Sequence, residues 1–379
     1  MLILELVVRK HEFADLDPRM IQNNAKHLEV INITNPACED DKYAKHIYQV
    51  KIVDETGYLF EMENVTLMEV INSEKPIVYE LQANYVLTQS ESPKFTKEVH
   101  FNLFPKLNCY NQESEKLIQF IKESKEILVP PPDEPINREL FKMSSHMFSE
   151  SGEDMFLDQI IFKESVKNGF FIEAGATDFL FNSNTLHYEM THDWRGLLVE
   201  VIPQFVEFGL RVRRSVWSVP YCLALINKPH LANISSPFSD SMRGVVPHSG
   251  DEAFETQCFP LYSLLRAVDN PTVNLFILDI EGAEFEVLKT IPWDKVDIEV
   301  MMIELEHAGK VFPGSREDIL DYLDENDYEH IGTMNKDDYF IRKDILGKKY
   351  SIDRKHIQSD FPEFKLSQTF EKSGHETHP

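Results

Sequence analysis

The sequence is short of cysteine, of basic residues and of long apolar runs. It has four cysteines in 379 residues, and no two of them form a C-x-x-C pair. This excludes the usual spacing of zinc ligands and the dense cysteine pattern of a disulfide-stapled domain. We expect all of these cysteines to be buried reduced thiols: Cys38, Cys109, Cys222 and Cys258.

Basic residues are few, since 38 Lys and Arg stand against 64 Asp and Glu, and the formal net charge is -26. A charge of this sign and size repels phosphate backbones and anionic lipid surfaces. We therefore predict no nucleic-acid partner. The small basic cluster of Arg211, Arg213 and Arg214 is expected to lie at the carboxyl end of a helix, where cations meet the negative end of the helix dipole.

No apolar run approaches the roughly 18 to 20 residues that a membrane-spanning helix requires. The amino-terminal run MLILELVV contains Glu5 and is followed, not preceded, by basic residues. This pattern fits a strand better than a signal peptide. From these residues alone we predict a cytoplasmic chain with no membrane span.

Four regions follow one another along the chain. Residues 1–111 contain short alternating runs rich in Val, Ile, Tyr and Thr, which predict a β-rich region. Residues 112–150 contain a predicted helix at Ser114–Leu128 and then a linker with three consecutive prolines, which end the helix. Residues 151–345 are predicted to form the main domain, and residues 346–379 a carboxyl-terminal tail that ends in the disordered segment SGHETHP.

The main domain alternates apolar strands with amphipathic helices, after a first helix in SGEDMFLDQIIFK. This rhythm predicts an α/β, doubly wound, mostly parallel sheet that is covered on both faces. The last two strands lie close together and are expected to form a hairpin, which gives a seven-strand sheet with one antiparallel member. The predicted strands are GFFIEA, GLLVEV, VWSVPYCLAL, NLFILDI, EVMMIEL, YEHIGTM and DYFIRK.

Ligands of open α/β sheets bind beyond the carboxyl ends of the strands, so the residues that follow each strand are the candidates for a site. The first strand is followed by small and acidic residues that would let a ligand approach the backbone: Glu173, Gly175, Ala176 and Asp178. An ordinary strand-to-helix turn is the alternative. The second strand ends in Glu200, whose carboxylate can accept hydrogen bonds from ribose hydroxyls.

The type of cofactor is indicated by a missing motif. No G-x-G-x-x-G is present, which argues against a pyrophosphate ligand and favours a nucleoside cofactor without phosphates. A cationic sulfonium, as in S-adenosylmethionine, would be stabilised by the many carboxylates at this edge.

More acidic residues follow the fourth and fifth predicted strands. Asp279 is placed to meet the cofactor, and Glu281 lies beside it, whereas Glu284 is expected to stabilise a helix amino terminus. The fifth strand brings a histidine and two carboxylates to the same edge, in Glu304, Glu306 and His307. These could act as acid and base or bind a metal, but their spacing matches no fixed metal motif, and we predict no metal site.

A family resemblance rests on a series of motifs between about Ser149 and Lys343. These are FFIEAGATD with SNTL after it, GLLVE, CFPLYSLL, LDIEGAEFEVLKTIPWDKVDIEV and FPGSREDILDYL. Together they resemble the FkbM-type methyltransferase family, and in particular its animal branch, which includes the protein Star. Residues 1 to 105 lie outside the resemblance.

The resemblance implies a Rossmann-like fold that binds S-adenosylmethionine and transfers its methyl group to a hydroxyl of a small molecule or glycan. It implies that the first loop (Glu173, Gly175, Ala176, Asp178) and Glu200 hold the cofactor, with Asp279 and Glu281 near the reaction centre. The Star-like branch implies a second reading: a non-catalytic protein that acts with a protein partner in secretory or endosomal trafficking. Both readings stay open at this point.

One departure from the family pattern concerns the loop after the first strand. The family continues this loop as Asp-Gly-Glu, whereas this chain has Asp178-Phe179-Leu180. A phenyl ring at position 179 is expected to need an unfavourable positive φ and to fill the cofactor's space, with loss of cofactor binding. The alternative is that the ring points into the core beneath the next helix and leaves the pocket open.

Overall fold

The computed structural model describes residues 107–135, 148–163, 166–234 and 254–372, together with five strands among the first 83 residues. The chain divides into two compact units, Met1–Cys109 and Tyr110–Pro379. The predictions for the segment SGHETHP, for Cys38 and for the side chain of Cys109 lie outside the described residues.

The first unit contains a five-stranded sheet of order β1-β5-β4-β3-β2. Its strands are β1 (Leu6–Val7), β2 (His27–Glu29), β3 (His46–Val53), β4 (Leu59–Val70) and β5 (Val78–Ala83). All neighbours pair antiparallel except β1 and β5, which are parallel.

The second unit is built on an eight-stranded sheet of order β16-β14-β15-β13-β12-β6-β7-β8. Its strands are β6 (Phe170–Ala174), β7 (Arg195–Val199), β8 (Trp217–Val219), β12 (Val273–Leu278), β13 (Ile298–Glu304), β14 (Tyr328–Met334), β15 (Asp337–Arg342) and β16 (Lys365–Leu366). The strands from β13 to β8 are parallel to one another, and β15 runs antiparallel to β13. The domain is thus a mixed α/β structure on a large, mostly parallel sheet.

The helices of this unit begin and end at the residues that follow. They are α1 (Glu115–Glu123), α2 (Glu153–Phe156), α3 (Leu186–His192), α4 (Pro203–Val212), α5 (Leu261–Ala267), α6 (Glu284–Thr290), α7 (Arg316–Glu325), α8 (Arg354–Asp360) and α9 (Gln368–Lys372). A π-helical segment, Leu157–Phe162, continues α2 towards β6. After α1 the chain reaches the outer edge of the sheet, where Val129 and Ser218 of β8 exchange backbone hydrogen bonds of 2.8 and 3.0 Å.

A smaller three-stranded sheet was not predicted. It has the order β10-β11-β9, formed by β9 (Cys222–Leu223), β10 (His230–Ile234) and β11 (Phe254–Phe259). The predicted single strand VWSVPYCLAL is in fact divided between β8 and β9, since Pro220 separates them. Proline lacks the N–H that a ladder needs, so a strand breaks there.

The cysteine prediction was wrong for the pair that lies in this small sheet. Cys222 of β9 and Cys258 of β11 are register partners with Cα atoms 4.4 Å apart, and they form a disulfide. Their separation of 36 residues gave no sign of pairing in the sequence.

The predicted tail needs a correction, because described residues after 345 belong to the domain. β16 pairs with β14, which makes the sheet eight-stranded instead of seven-stranded. Phe361, Phe364 and Phe370 are buried in the main core, and the Phe364 ring stacks on that of Phe156 at 4.2 Å between centroids. This burial outweighs the polar composition that suggested a tail.

The expectation for the arginine cluster was wrong at Arg214. Arg211 lies in the last turn of α4 and pairs with Glu207, as a helix-end cation does. Arg214 is instead buried, and its Nε donates to Glu189 Oε2 over 2.6 Å. The same guanidinium donates to Ser183 Oγ and Thr185 Oγ1 and lies 3.7 Å from Glu173 Oε2.

Candidate functional site

Two loops meet where the strand order reverses. From β6 the chain proceeds through β7 to β8 on one side, and β12 then lies on the other side of β6. Gly175, after β6, has a φ of +85°, and a Cβ built there would lie 1.8 Å from the backbone oxygen of Asp279, after β12. Only glycine allows this approach and this φ, so the sequence Glu-Ala-Gly-Ala fixes the meeting of the two loops.

The loop after β6 is held by backbone contacts. Gly175 N and Ala176 N both donate to Val199 O of β7, over 3.0 and 3.1 Å. Asp178 Oδ1 accepts from the N–H groups of Leu180 and Phe181, which forms a local turn. The predicted cofactor-loop residues are therefore brought together at the switch point, with Asp178 in a turn-forming role.

Glu173 lies in β6 and is buried with its partners around it. Its carboxylate accepts from Ser183 Oγ, from Asn184 N over 2.8 Å and from Thr185 Oγ1. Burial raises the pKa of Glu173, while Arg214 and these donors act in the opposite direction. In this arrangement Glu173 holds the segment of Ser183, Asn184 and Thr185 against β6.

Glu200 follows β7 at the same edge and is 6% exposed. Its Oε2 accepts from Thr177 N over 2.8 Å, and its Oε1 accepts from Val201 N and Ile202 N over 2.7 Å each. Glu200 therefore ties the first loop to the end of β7. Sequence reasoning placed this acid beside a ribose and missed its contact with the loop.

An acidic cluster follows β12 and β13. It consists of Asp279, Glu281, Glu284 and Glu304, together with Asp337 at the start of β15. Burial and then the surrounding carboxylates raise the pKa of Asp279 well above its usual range. Burial likewise raises the pKa of Glu284 to about 7 and that of Asp337 to about 8. Carboxyls this close cannot all be ionised, so the cluster can hold protons or attract a cation.

The members of the cluster differ in their contacts. Glu284 is the first residue of α6, and its Oε1 accepts from Ile280 N and Gly282 N, so this side chain holds the loop that precedes the helix. His307 Nδ1 lies 3.3 Å from Glu281 Oε2 and 3.4 Å from Glu304 Oε2. Asp337 was missed by the sequence reasoning, because it lies in a hairpin that carries no motif.

Positive φ angles occur in both loops of the switch point, as they do at several turns elsewhere in the domain. Thr177, Phe179 and Glu281 have φ values of 47°, 65° and 60°. Such a conformation costs an L-residue about 1 to 2 kcal/mol. Strain of this kind persists only where the surroundings enforce it, and it clusters at functional sites.

The Phe179 ring lies in the core and is 1% exposed. A Cβ on Gly209 of α4 would lie 2.5 Å from this ring, which shows that the phenyl group packs directly beneath that helix. The predicted positive φ is confirmed. The expected occlusion is wrong, and the alternative placement beneath the helix is the one observed.

A cavity of about 350 Å³ lies beside the acidic cluster. Its lining includes Glu306, Arg316, Thr333, Lys336 and Asp338. Arg316 is paired with buried Asp338, and Lys336 lies 3.0 Å from Glu306. The charged side chains of the walls are therefore two positive and two negative, which balances their charge.

None of the described helices is both long and apolar enough to cross a membrane. Comparison with curated proteins gives no match. Among solved structures, a chain of the crystal structure of a fibrillarin/Nop5p complex is similar, with a TM-score of 0.27 and 13% identity over 46% of this chain and 71% of that chain. A similarity of that size carries no conclusion about function.

The family comparison covers the residues that build the site. Residues 173–330 match the model of the methyltransferase FkbM domain. The match begins at Glu173 in β6 and includes both switch-point loops, Glu200 and most of the acidic cluster. It supports a methyltransferase of the FkbM family.

Proposed function

We propose that the second unit is an S-adenosylmethionine-dependent methyltransferase that acts on a hydroxyl oxygen. The observation that carries the proposal is the meeting of the Gly175 and Asp279 loops at the switch point, with Glu200 beside them. Ligands of doubly wound sheets bind at this place. The family match over residues 173–330 supports the same activity.

The residues present fit the proposed cofactor. The acidic cluster favours a cationic sulfonium, and the loop after β6 offers small side chains to an adenosyl group. With its ring under α4, Phe179 does not take up space on the outer side of the loop. When bound, S-adenosylmethionine supplies an electrophilic methyl group.

Asp279 is the residue proposed to accept the proton of the attacking hydroxyl. Its raised pKa makes it a stronger base, once ionised, than an ordinary aspartate. Glu281, held near His307, is proposed to keep the site negative while this proton moves. The cavity, whose lining includes Arg316 and Thr333, is proposed to receive a hydroxyl-bearing acceptor, such as a small polyol or glycan.

Calorimetric titration of the full chain with S-adenosylmethionine tests the proposal. Glu200→Gln is expected to weaken binding by about 1.5 to 3 kcal/mol and also to lower the thermal midpoint, because an amide cannot accept from all three backbone N–H groups.

Asp279→Asn is expected to abolish methyl transfer and to retain cofactor binding. Glu207→Gln, at an exposed carboxylate of α4 that belongs neither to the loops nor to the cavity, is the control. Absence of cofactor binding by the unmodified chain would refute the proposal.

A second proposal concerns the compartment, and the Cys222–Cys258 disulfide carries it. Disulfides persist in oxidising compartments and are rare in the cytosol. We propose that the domain matures in the secretory pathway, where the non-catalytic, Star-like trafficking role is the competing function. Alkylation of the protein from its native cells without prior reduction should leave both cysteines unmodified. Alkylation of both would place the chain in a reducing compartment.

A further inference from the structure

A histidine–aspartate cluster lies at the amino edge of the sheet, away from the candidate site. Asp158 belongs to the π-helical segment before β6, whereas His187 and His192 lie on α3. His192 ends that helix shortly before β7 begins, and its backbone oxygen accepts from Asn168 N just before β6. The cluster therefore lies where β6 and β7 begin, while the acidic cluster lies where β12 and β13 end.

The three side chains converge closely. His192 Nε2 is 3.1 Å from Asp158 Oδ1, and His187 Nε2 is 3.3 Å from Asp158 Oδ2. One ligand atom from each residue lies within 4.8 Å of the others. Around a tetrahedral zinc ion with bonds of about 2.0 to 2.1 Å, neighbouring ligand atoms are roughly 3.3 Å apart. The two distances between imidazole nitrogens and carboxylate oxygens, 3.1 and 3.3 Å, are close to that value.

The contact of Asp158 Oδ1 is not an aligned hydrogen bond, whereas His187 Nε2 also has Thr191 Oγ1 at 3.4 Å. Asp158 Oδ1 is buried and has no hydrogen-bond partner, although His192 Nε2 is only 3.1 Å away. A carboxylate that simply accepted from imidazole N–H groups would be expected to align with them, since an unmade buried bond costs about 1 to 3 kcal/mol. Atoms that lie side by side without alignment are instead typical of ligands that face a common ion.

The chemistry of the donors indicates the kind of ion. Two imidazoles and one carboxylate suit zinc and similar transition metals better than calcium or magnesium, which prefer oxygen ligands. Asp158 and His192 retain side-chain exposures of 19% and 16%, which leaves a path for the ion and a water ligand. We propose that Asp158, His187 and His192 bind one zinc ion, which fastens the segment before β6 to α3.

The expected affinity is moderate. His187 Nδ1 is buried without a hydrogen-bond partner, whereas zinc-binding histidines usually donate their second N–H to an acceptor. Lack of such an acceptor weakens metal binding by about 10 to 100-fold. The zinc should therefore be removable from the folded protein by a chelator.

The test is zinc titration of the chelator-treated full chain by calorimetry, with metal content counted by mass spectrometry. Because the chain has 14 histidines, the difference between variants is the readout. Asp158→Asn and His192→Gln should each weaken binding of one zinc equivalent at least tenfold, and zinc should raise the thermal midpoint of these two variants less than that of the unmodified chain. Calcium should not compete.

His356→Gln is the matched control. His356 Nε2 lies 3.0 Å from Asp360 Oδ2 but belongs to no three-ligand cluster among the described residues. This variant should bind zinc like the unmodified chain. If Asp158→Asn does not fold, His192→Gln at the more exposed ring decides the matter. Equal zinc uptake by all variants, or no uptake by the unmodified chain, would show that the cluster is only a polar contact.

Discussion

At the residue scale, Phe179 combines a strained backbone with a tightly packed side chain. Its φ is 65°, and its ring fills the space under Gly209. Phe179→Gly relieves about 1 to 2 kcal/mol of strain but leaves a cavity, and the loss of a buried phenyl ring costs about 3 to 5 kcal/mol. We therefore expect a net loss of stability and no gain in cofactor affinity, measured by chemical denaturation and by titration.

Gly209→Ala provides the reciprocal change. The added methyl group would overlap the Phe179 ring and should destabilise the fold by about 1 to 3 kcal/mol. Combining it with Phe179→Leu should recover part of that loss. If Phe179→Gly instead bound the cofactor tenfold more tightly with unchanged stability, the phenyl ring would lie in the cofactor pocket and not under α4.

Arg214 and Arg211 form a natural comparison, since both are arginines paired with a glutamate near the end of α4. Arg214 and its partner Glu189 have side-chain exposures of 1% and 0%, against 70% and 67% for Arg211 and Glu207. Arg214→Met should destabilise the domain by about 3 to 5 kcal/mol, because it leaves buried carboxylates without their cation. Arg211→Met should cost about 0.5 kcal/mol or less. Similar unfolding midpoints for the two variants would contradict this assignment.

At the scale of elements, the carboxyl-terminal segment completes the core. The Phe364 ring stacks on Phe156 and also lies 5.5 Å from the ring of Tyr339. Phe364→Ala should lower the free energy of unfolding by about 3 to 5 kcal/mol. Phe181→Ala, at a ring that is 65% exposed, is the control and should change it little. Equal stability of the two variants would mean that the carboxyl-terminal segment contributes little to the stability of the core.

The strands of the main sheet could be predicted because most of their residues are apolar, as in β12 and β13, where each residue is buried and Asn274 and Glu299 are the polar residues inside the runs. β11 could not, since FETQCF mixes polar and apolar residues and lies in a small second sheet. The carboxyl-terminal segment was missed because its buried rings, Phe361, Phe364 and Phe370, follow no regular period. Local pattern carries no information on which distant surface such rings will meet.

The candidate site was predicted in its location more than in its contacts. Alternating strands and helices imply parallel strands, and the carboxyl ends of parallel strands lie at one edge of the sheet. The sequence could therefore place Glu200 and Asp279 at the same edge. The hydrogen bonds that Ser183 and Thr185 donate to Glu173 could not be predicted, because they depend on how a loop folds back on the sheet. The buried Arg214 looked like its surface neighbours in sequence, and only its position after α4 separates them.

At the scale of the whole molecule, the acidic edge makes stability depend on pH. The pKa values of Glu284 and Asp337 are raised to about 7 and about 8, so the folded state binds these protons more tightly than the unfolded state does. Their contribution is full below the unfolded pKa of about 4 and is lost as pH rises to about 8. The thermal midpoint should therefore fall between pH 5 and pH 8.5.

Asp337→Asn should flatten that pH profile, because a neutral amide needs no proton. The exposed Asp321 supplies the control, and Asp321→Asn should leave the profile unchanged. A profile that rises with pH in the unmodified chain would mean that ionised carboxylates stabilise the edge.

The large sheet ends on each side in a segment that cannot extend it further. Beside β8, Val129 makes a short bridge and is followed by Pro130, Pro131 and Pro132, which have no N–H to offer to another strand. Beside β14, β16 is only two residues long. Exposed strand edges are templates for pairing between molecules, and short or proline-rich borders block such growth. The same segments that complete the domain thus oppose its stacking into edge-to-edge aggregates.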